Sequence, residues 1–152
     1  MTALAALISA AVVSACPASH VHYVSYPGVG AGLSGVPWIA TSNGAFYGHL
    51  FYVGGTPWRV SKPVVAHIFT TKKKRNLHPK VLWISRRGAA TGHLVIRGRR
   101  LDAPGMFVTR NANGGGYQFP SYVEIPTAGC WRVTISSASV SGSVVFVAVD
   151  DF

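Results

Sequence analysis

The chain has 152 residues, with 14 Lys and Arg against 4 Asp and Glu, a formal net charge of +10, and 2 cysteines. This length supports one ordinary domain with its own core. The cysteine count excludes a disulfide framework or a CxxC metal or redox pair, and the basic balance selects anionic partners.

The chain opens MTALAALISAAVVSAC. Ala3 to Val13 is an apolar core, and Ser14 and Ala15 are the small residues that a signal peptidase pocket admits. The run is shorter than the roughly 20 apolar residues of a membrane-spanning helix. Val13-Ser14-Ala15-Cys16 resembles a bacterial lipobox. It predicts cleavage between Ala15 and Cys16, with a diacylglyceryl group on the Cys16 thiol and a lipid anchor holding the protein outside the cytoplasm, in a bacterial cell envelope. No Lys or Arg precedes the apolar core, which points to a true start upstream of Met1. The other fate of Cys16 is a bridge to Cys130 in an oxidising compartment. The two fates exclude each other.

The expected organisation is a lipoprotein signal peptide over 1–15, a tether with a first strand over 16–36, and a β domain over 37–152. Predicted strands are His20–Tyr26, Pro37–Thr41, Phe46–Val53, Val64–Thr70, Lys80–Arg86, His93–Arg97, Met106–Arg110, Ser121–Ile125, Cys130–Ser136 and Ser143–Val149. Turn chemistry separates them, as in Ser42-Asn43-Gly44, Asp102-Ala103-Pro104-Gly105 and Pro126-Thr127-Ala128-Gly129. Val81 and Trp83 alternate with Leu82 and Ile84, so both faces of that strand are apolar and it belongs inside a sheet. Cys130, Arg132 and Thr134 oppose Trp131, Val133 and Ile135, giving one wetter and one buried face. Short strands at this spacing predict an all-β fold, an antiparallel immunoglobulin-like β-sandwich, with a closed barrel as the alternative. If the domain starts at Pro37, the tether from Cys16 reaches roughly 65 Å when extended. If His20–Tyr26 is a strand, the domain lies close to its anchor.

From Pro37 onward several phrases occur together, among them Pro37-Trp38-Ile39-Ala40, Lys80-Val81-Leu82-Trp83, RGRRLDAPG over Arg97–Gly105 and PTAGCWRVT over Pro126–Thr134. In these the chain resembles a group of uncharacterised bacterial lipoproteins and secreted proteins with a predicted β-sandwich. The resemblance implies an envelope location and the β fold, and brings no activity or site residues with it.

Two basic groups are candidate anion-binding residues. Lys72, Lys73, Lys74 and Arg75 lie in sequence between predicted strands and form an exposed basic loop, suited to an anionic membrane surface or simply to solubility. Arg97 and Arg99 flank Gly98 and point their guanidinium forks to one side of a strand, while Arg100 completes the group and Asp102 is the obvious internal partner. The partners that fit are anionic headgroups, a wall polymer or an acidic protein surface. An exported location disfavours nucleic acid.

Metal binding is a second reading. His20 and His22 fall on one side of an extended strand, a pair usable by Cu or Zn, but His49, His67, His78 and His93 are scattered over separate elements. A glycan-active enzyme ranks third: Asp102, Glu124, Asp150 and Asp151 form no pair in a polar, Gly-containing loop, and no GxSxG, HExxH or phosphate loop occurs. Tyr117, Phe119, Tyr122 and Trp131 cluster around a Gly-rich stretch and either stack on sugars or pack the core. The expected protein is a non-enzymatic binding or structural module without cofactor.

Overall fold

The structure, a computed structural model, describes residues 16–24, 33, 35–53, 63–71, 79–86, 92–111, 117–138 and 140–150. The predicted segments 1–15 and 72–78, which include Ala15 and Lys72 to Arg75, lie outside the described residues, as does Asp151.

Short β-branched and aromatic runs form two sheets. One contains β1 (Trp38–Ala40), β2 (Phe46–Leu50), β4 (Lys80–Ser85) and β7 (Gln118–Tyr122), in the order β1-β2-β4-β7 and antiparallel throughout. The other contains β3 (His67–Phe69), β5 (Leu94–Arg100), β6 (Met106–Asn111), β8 (Gly129–Ser137) and β9 (Val140–Val149), in the order β3-β9-β8-β5-β6. All its pairs are antiparallel except β3–β9. The chain crosses from β4 in the first sheet to β5 in the second, and β5, β8 and β9 lie side by side, as in an immunoglobulin-like sandwich.

The core between the sheets follows the alternation of each strand. Phe46 and Leu50 of β2, Val81 and Trp83 of β4, Leu94 and Ile96 of β5, Trp131, Val133 and Ile135 of β8 and Val144 and Phe146 of β9 are buried together. As the doubly apolar pattern predicts, β4 is internal to its sheet, between β2 and β7. The aromatic cluster divides: Phe119 and Trp131 pack the core, while Tyr117 and Tyr122 stay exposed.

Strand limits differ from expectation at β7, which covers Gln118–Tyr122 rather than Ser121–Ile125. Pro120 is accommodated because β7 is an edge strand, where a missing N–H has an outlet. Ile125 instead bridges Thr70. β5 runs on to Arg100 because both β6 and β8 pair with it past Arg97.

Residues 16–24 lie on the sandwich. His20 bridges Val65, beside β3, and His22 bridges Trp38 of β1. Since β3 and β1 are both edge strands, this segment laces the two sheets along one side. Val21 enters the core, and Ser19 donates its N–H to Val145 O at 2.8 Å and accepts from Val145 N–H at its hydroxyl at 2.9 Å. Cys16 is bonded to Cys130, with Cα atoms 5.5 Å apart. Of the two fates open to Cys16, the structure contains this one. A sulfur in that bond has no thiol to take up a diacylglyceryl group, so a lipid on Cys16 requires the bond to be absent.

Candidate anion-binding face

The two motif stretches, RGRRLDAPG and PTAGCWRVT, meet at one end of the sandwich. Arg100 stands opposite Trp131 across β5–β8. Its Nε donates to Asp102 Oδ1 at 2.7 Å, and its Nη2 to Oδ2 at 3.4 Å. Leu101 N–H donates to Cys130 O at 2.7 Å, and Trp131 Nε1–H to Thr127 O at 2.8 Å. Burial alone would raise the Asp102 carboxyl, but hydrogen bonds from the Arg100 side chain and from the Cys130 and Asp102 backbones, with the Arg100 charge, hold it below its ordinary value. Gly129 makes room for this pair. Its φ is +141°, and a Cβ there would come within 2.6 Å of Arg100 Nε and 2.8 Å of Asp102 Oδ2. Arg100 is therefore a structural residue and leaves the predicted anion-binding group.

Arg97 and Arg99 take the other side of β5. Gly98, between them, faces inward, where a Cβ would overlap the Phe107 ring. That ring leans across Gly98 toward Trp131, at 5.7 Å between ring centroids. With Gly98 under Phe107, both neighbouring arginines face solvent, and both are exposed.

Cross-strand register adds two arginines that local sequence reading missed. Arg99 is directly opposite Arg132 of β8, and Val95 is directly opposite Arg110 of β6. Opposite residues place their Cβ atoms about 4.5–5.5 Å apart on one face. Arg97, Arg99, Arg110 and Arg132 thus occupy one patch on the outer face of the five-stranded sheet, and all are exposed. Arg132 was legible as part of the wetter half of its strand. Its neighbours were not, because they depend on pairing between segments far apart in sequence.

The other described basic side chains are engaged elsewhere: Arg100 with Asp102, Arg86 over the Tyr47 ring at 5.9 Å, and Lys80 over the Phe51 ring at 5.8 Å. Among the described residues the four outer arginines have no ion-pair partner. The described carboxylates belong to other places: Asp102 to Arg100, Asp150 to the Thr70 hydroxyl at 2.6 Å, and Glu124 to the segment after β7.

The described histidines do not converge, and His78 lies outside the described residues. His20 and His22 are edge to face at 5.0 Å, and His22 stacks on Trp38 at 4.1 Å. His49 is buried in β2, His67 Nδ1 lies 3.0 Å from Val65 O, and His93 is exposed before β5. Burial, with His20 adding to it, lowers the pKa of His22, and burial lowers that of His49. No group of three metal-ligating side chains occurs among the described residues, and none of their helices is long and apolar enough to cross a membrane.

Comparison with protein-family models, curated proteins and solved structures finds no match to this chain. The arrangement of side chains alone therefore carries the functional reading.

Proposed function

We propose that this chain is an exported, non-enzymatic β-sandwich that binds an anionic partner at the cell envelope through the outer face of its five-stranded sheet. One observation carries the reading: Arg99 and Arg132 sit directly opposite each other, with Arg97 next on the same side of β5, Arg110 diagonal to Arg97 on β6, and no described carboxylate on the face. Like charges directly opposite across strands destabilise a sheet. A phosphate or carboxylate placed between two guanidinium forks converts that repulsion into charge-assisted hydrogen bonds. The apolar leader and the bridged cysteines support export, since such bonds persist in oxidising compartments.

The test is binding to inorganic polyphosphate over a salt series, comparing the wild type with R97S/R99S/R110S/R132S. Each charge placed against a polyanion steepens the salt dependence. The variant is expected to keep its circular dichroism spectrum and lose at least about a hundredfold in affinity, with a flatter salt slope. Equal affinity and slope in the two proteins would overturn the proposal.

A further inference from the structure

We infer that the anionic partner is the phosphate layer of a lipid bilayer, with Met106 and Val108 entering the headgroup region between the arginines. This rests on the reading of the arginine face as an anion-binding surface and names what it binds. Met106 is 79% exposed and Val108 58% exposed, both on the outward side of edge strand β6. Each stands directly opposite an arginine: Met106 opposite Arg99, and Val108 opposite Arg97. Val95, half-buried, repeats the arrangement opposite Arg110.

A soluble polyanion would gain little from aliphatic side chains set among its contacts. At a bilayer, apolar side chains gain by leaving water for the headgroup and acyl boundary while cations stay at phosphate depth. The face is a sheet surface with its cations spread over three neighbouring strands, β6, β5 and β8, which suits a planar array of phosphates.

The position of Cys16 points the same way. Cys130, Arg132 and Thr134 share one side of β8, so the Cys16–Cys130 bond ties residue 16 to the rim of the arginine face. The apolar segment Met1–Ala15 joins the chain there. Residue 16 is thereby held on the same side of the second sheet as the arginines.

The experiment is co-sedimentation of the full chain with phosphatidylcholine vesicles, with and without phosphatidylglycerol, beside the polyphosphate titration. The readout is the increment in binding that phosphatidylglycerol produces, which removes adsorption through the apolar leader. M106S/V108S is expected to lower that increment about tenfold and leave polyphosphate affinity unchanged. R99S/R132S is expected to lower both, at about fivefold per arginine for the vesicles.

Polyphosphate binding without a phosphatidylglycerol increment, or an increment indifferent to M106S/V108S, would overturn the bilayer assignment and leave the anion-binding face standing. Loss of vesicle and polyphosphate binding alike in the wild type would overturn both. The Ser substitutions are at exposed positions, so an unchanged melting temperature separates lost contact from lost fold.

Discussion

Arg99 and Arg100 are neighbours in sequence and opposites in use. Arg100 lies at the end of the sandwich, its guanidinium on Asp102, over a glycine that leaves it room and beside a disulfide-bonded strand residue. Arg99 points to solvent, with another arginine directly across from it and no described carboxylate on its face. The first arrangement is what a fold does with a basic residue it needs for stability. The second costs stability, and an anion seated between the two guanidinium groups is what would offset that cost. Residue type therefore says little about the role of these arginines. The side of the strand and the nearest carboxylate decide it.

The largest expected effect lies on the structural side. Removing the bridge with C16S should cost about 5 kcal/mol on the chain-entropy model for so long a loop, read from chemical denaturation of oxidised and variant protein. Intact mass of the native protein checks the premise. The bridge predicts a mass lower by two hydrogen atoms than that of the reduced chain, whereas a diacylglyceryl adduct on Cys16 would show that the bond is absent in the cell. G129A should cost about 3 kcal/mol, because the residue has a positive φ and its Cβ would press on the Arg100–Asp102 pair. D102N should cost about 1–2 kcal/mol by leaving a partly buried arginine without its charged partner.

Acid should act on the same end of the molecule. The Asp102 carboxyl is held below its ordinary 3.8, so its contribution is full above that value and is lost as pH falls through the lower folded one. D102N should remove this acid dependence from a series of melting temperatures. His22 and His49 act earlier. Both are held below 6.5, so the unfolded chain takes up their protons first and stability declines as pH falls beneath 6.5.

The smallest effect has the opposite sign. Replacing Arg132 with Thr removes a like-charge pair and should raise stability by about 0.5 kcal/mol. A clear loss would mean that the outer face is held together by contacts like those of Arg100.

Much of the fold was readable from local pattern. The alternation Val81–Ile84 placed β4 inside a sheet, and that of Cys130–Ile135 identified the core and solvent sides of β8, because side-chain direction repeats every two residues whatever the partner strand. The limits of β7 were misread, since a proline is compatible with a strand only at an edge, and edge position is a property of the whole sheet. The candidate site was half legible. Arg97 and Arg99 follow from their spacing around Gly98, but Arg110 and Arg132 join them only through the β5–β6 and β5–β8 registers. Arg100 adjoins them in sequence but, one residue after Arg99, falls to the other side of β5 and pairs with Asp102, the internal partner the sequence offers. The Cys16–Cys130 bond joins residues 114 apart in sequence, a long-range contact that no local pattern encodes.

The most direct measurement sets the two regions against each other in one experiment: melting temperature and polyphosphate affinity for R99S/R132S beside R100S. The account predicts that R99S/R132S melts at or above the wild type and binds weakly, while R100S melts lower and binds as the wild type does. A stable R100S that has lost binding, or an R99S/R132S that unfolds early and binds fully, would contradict it.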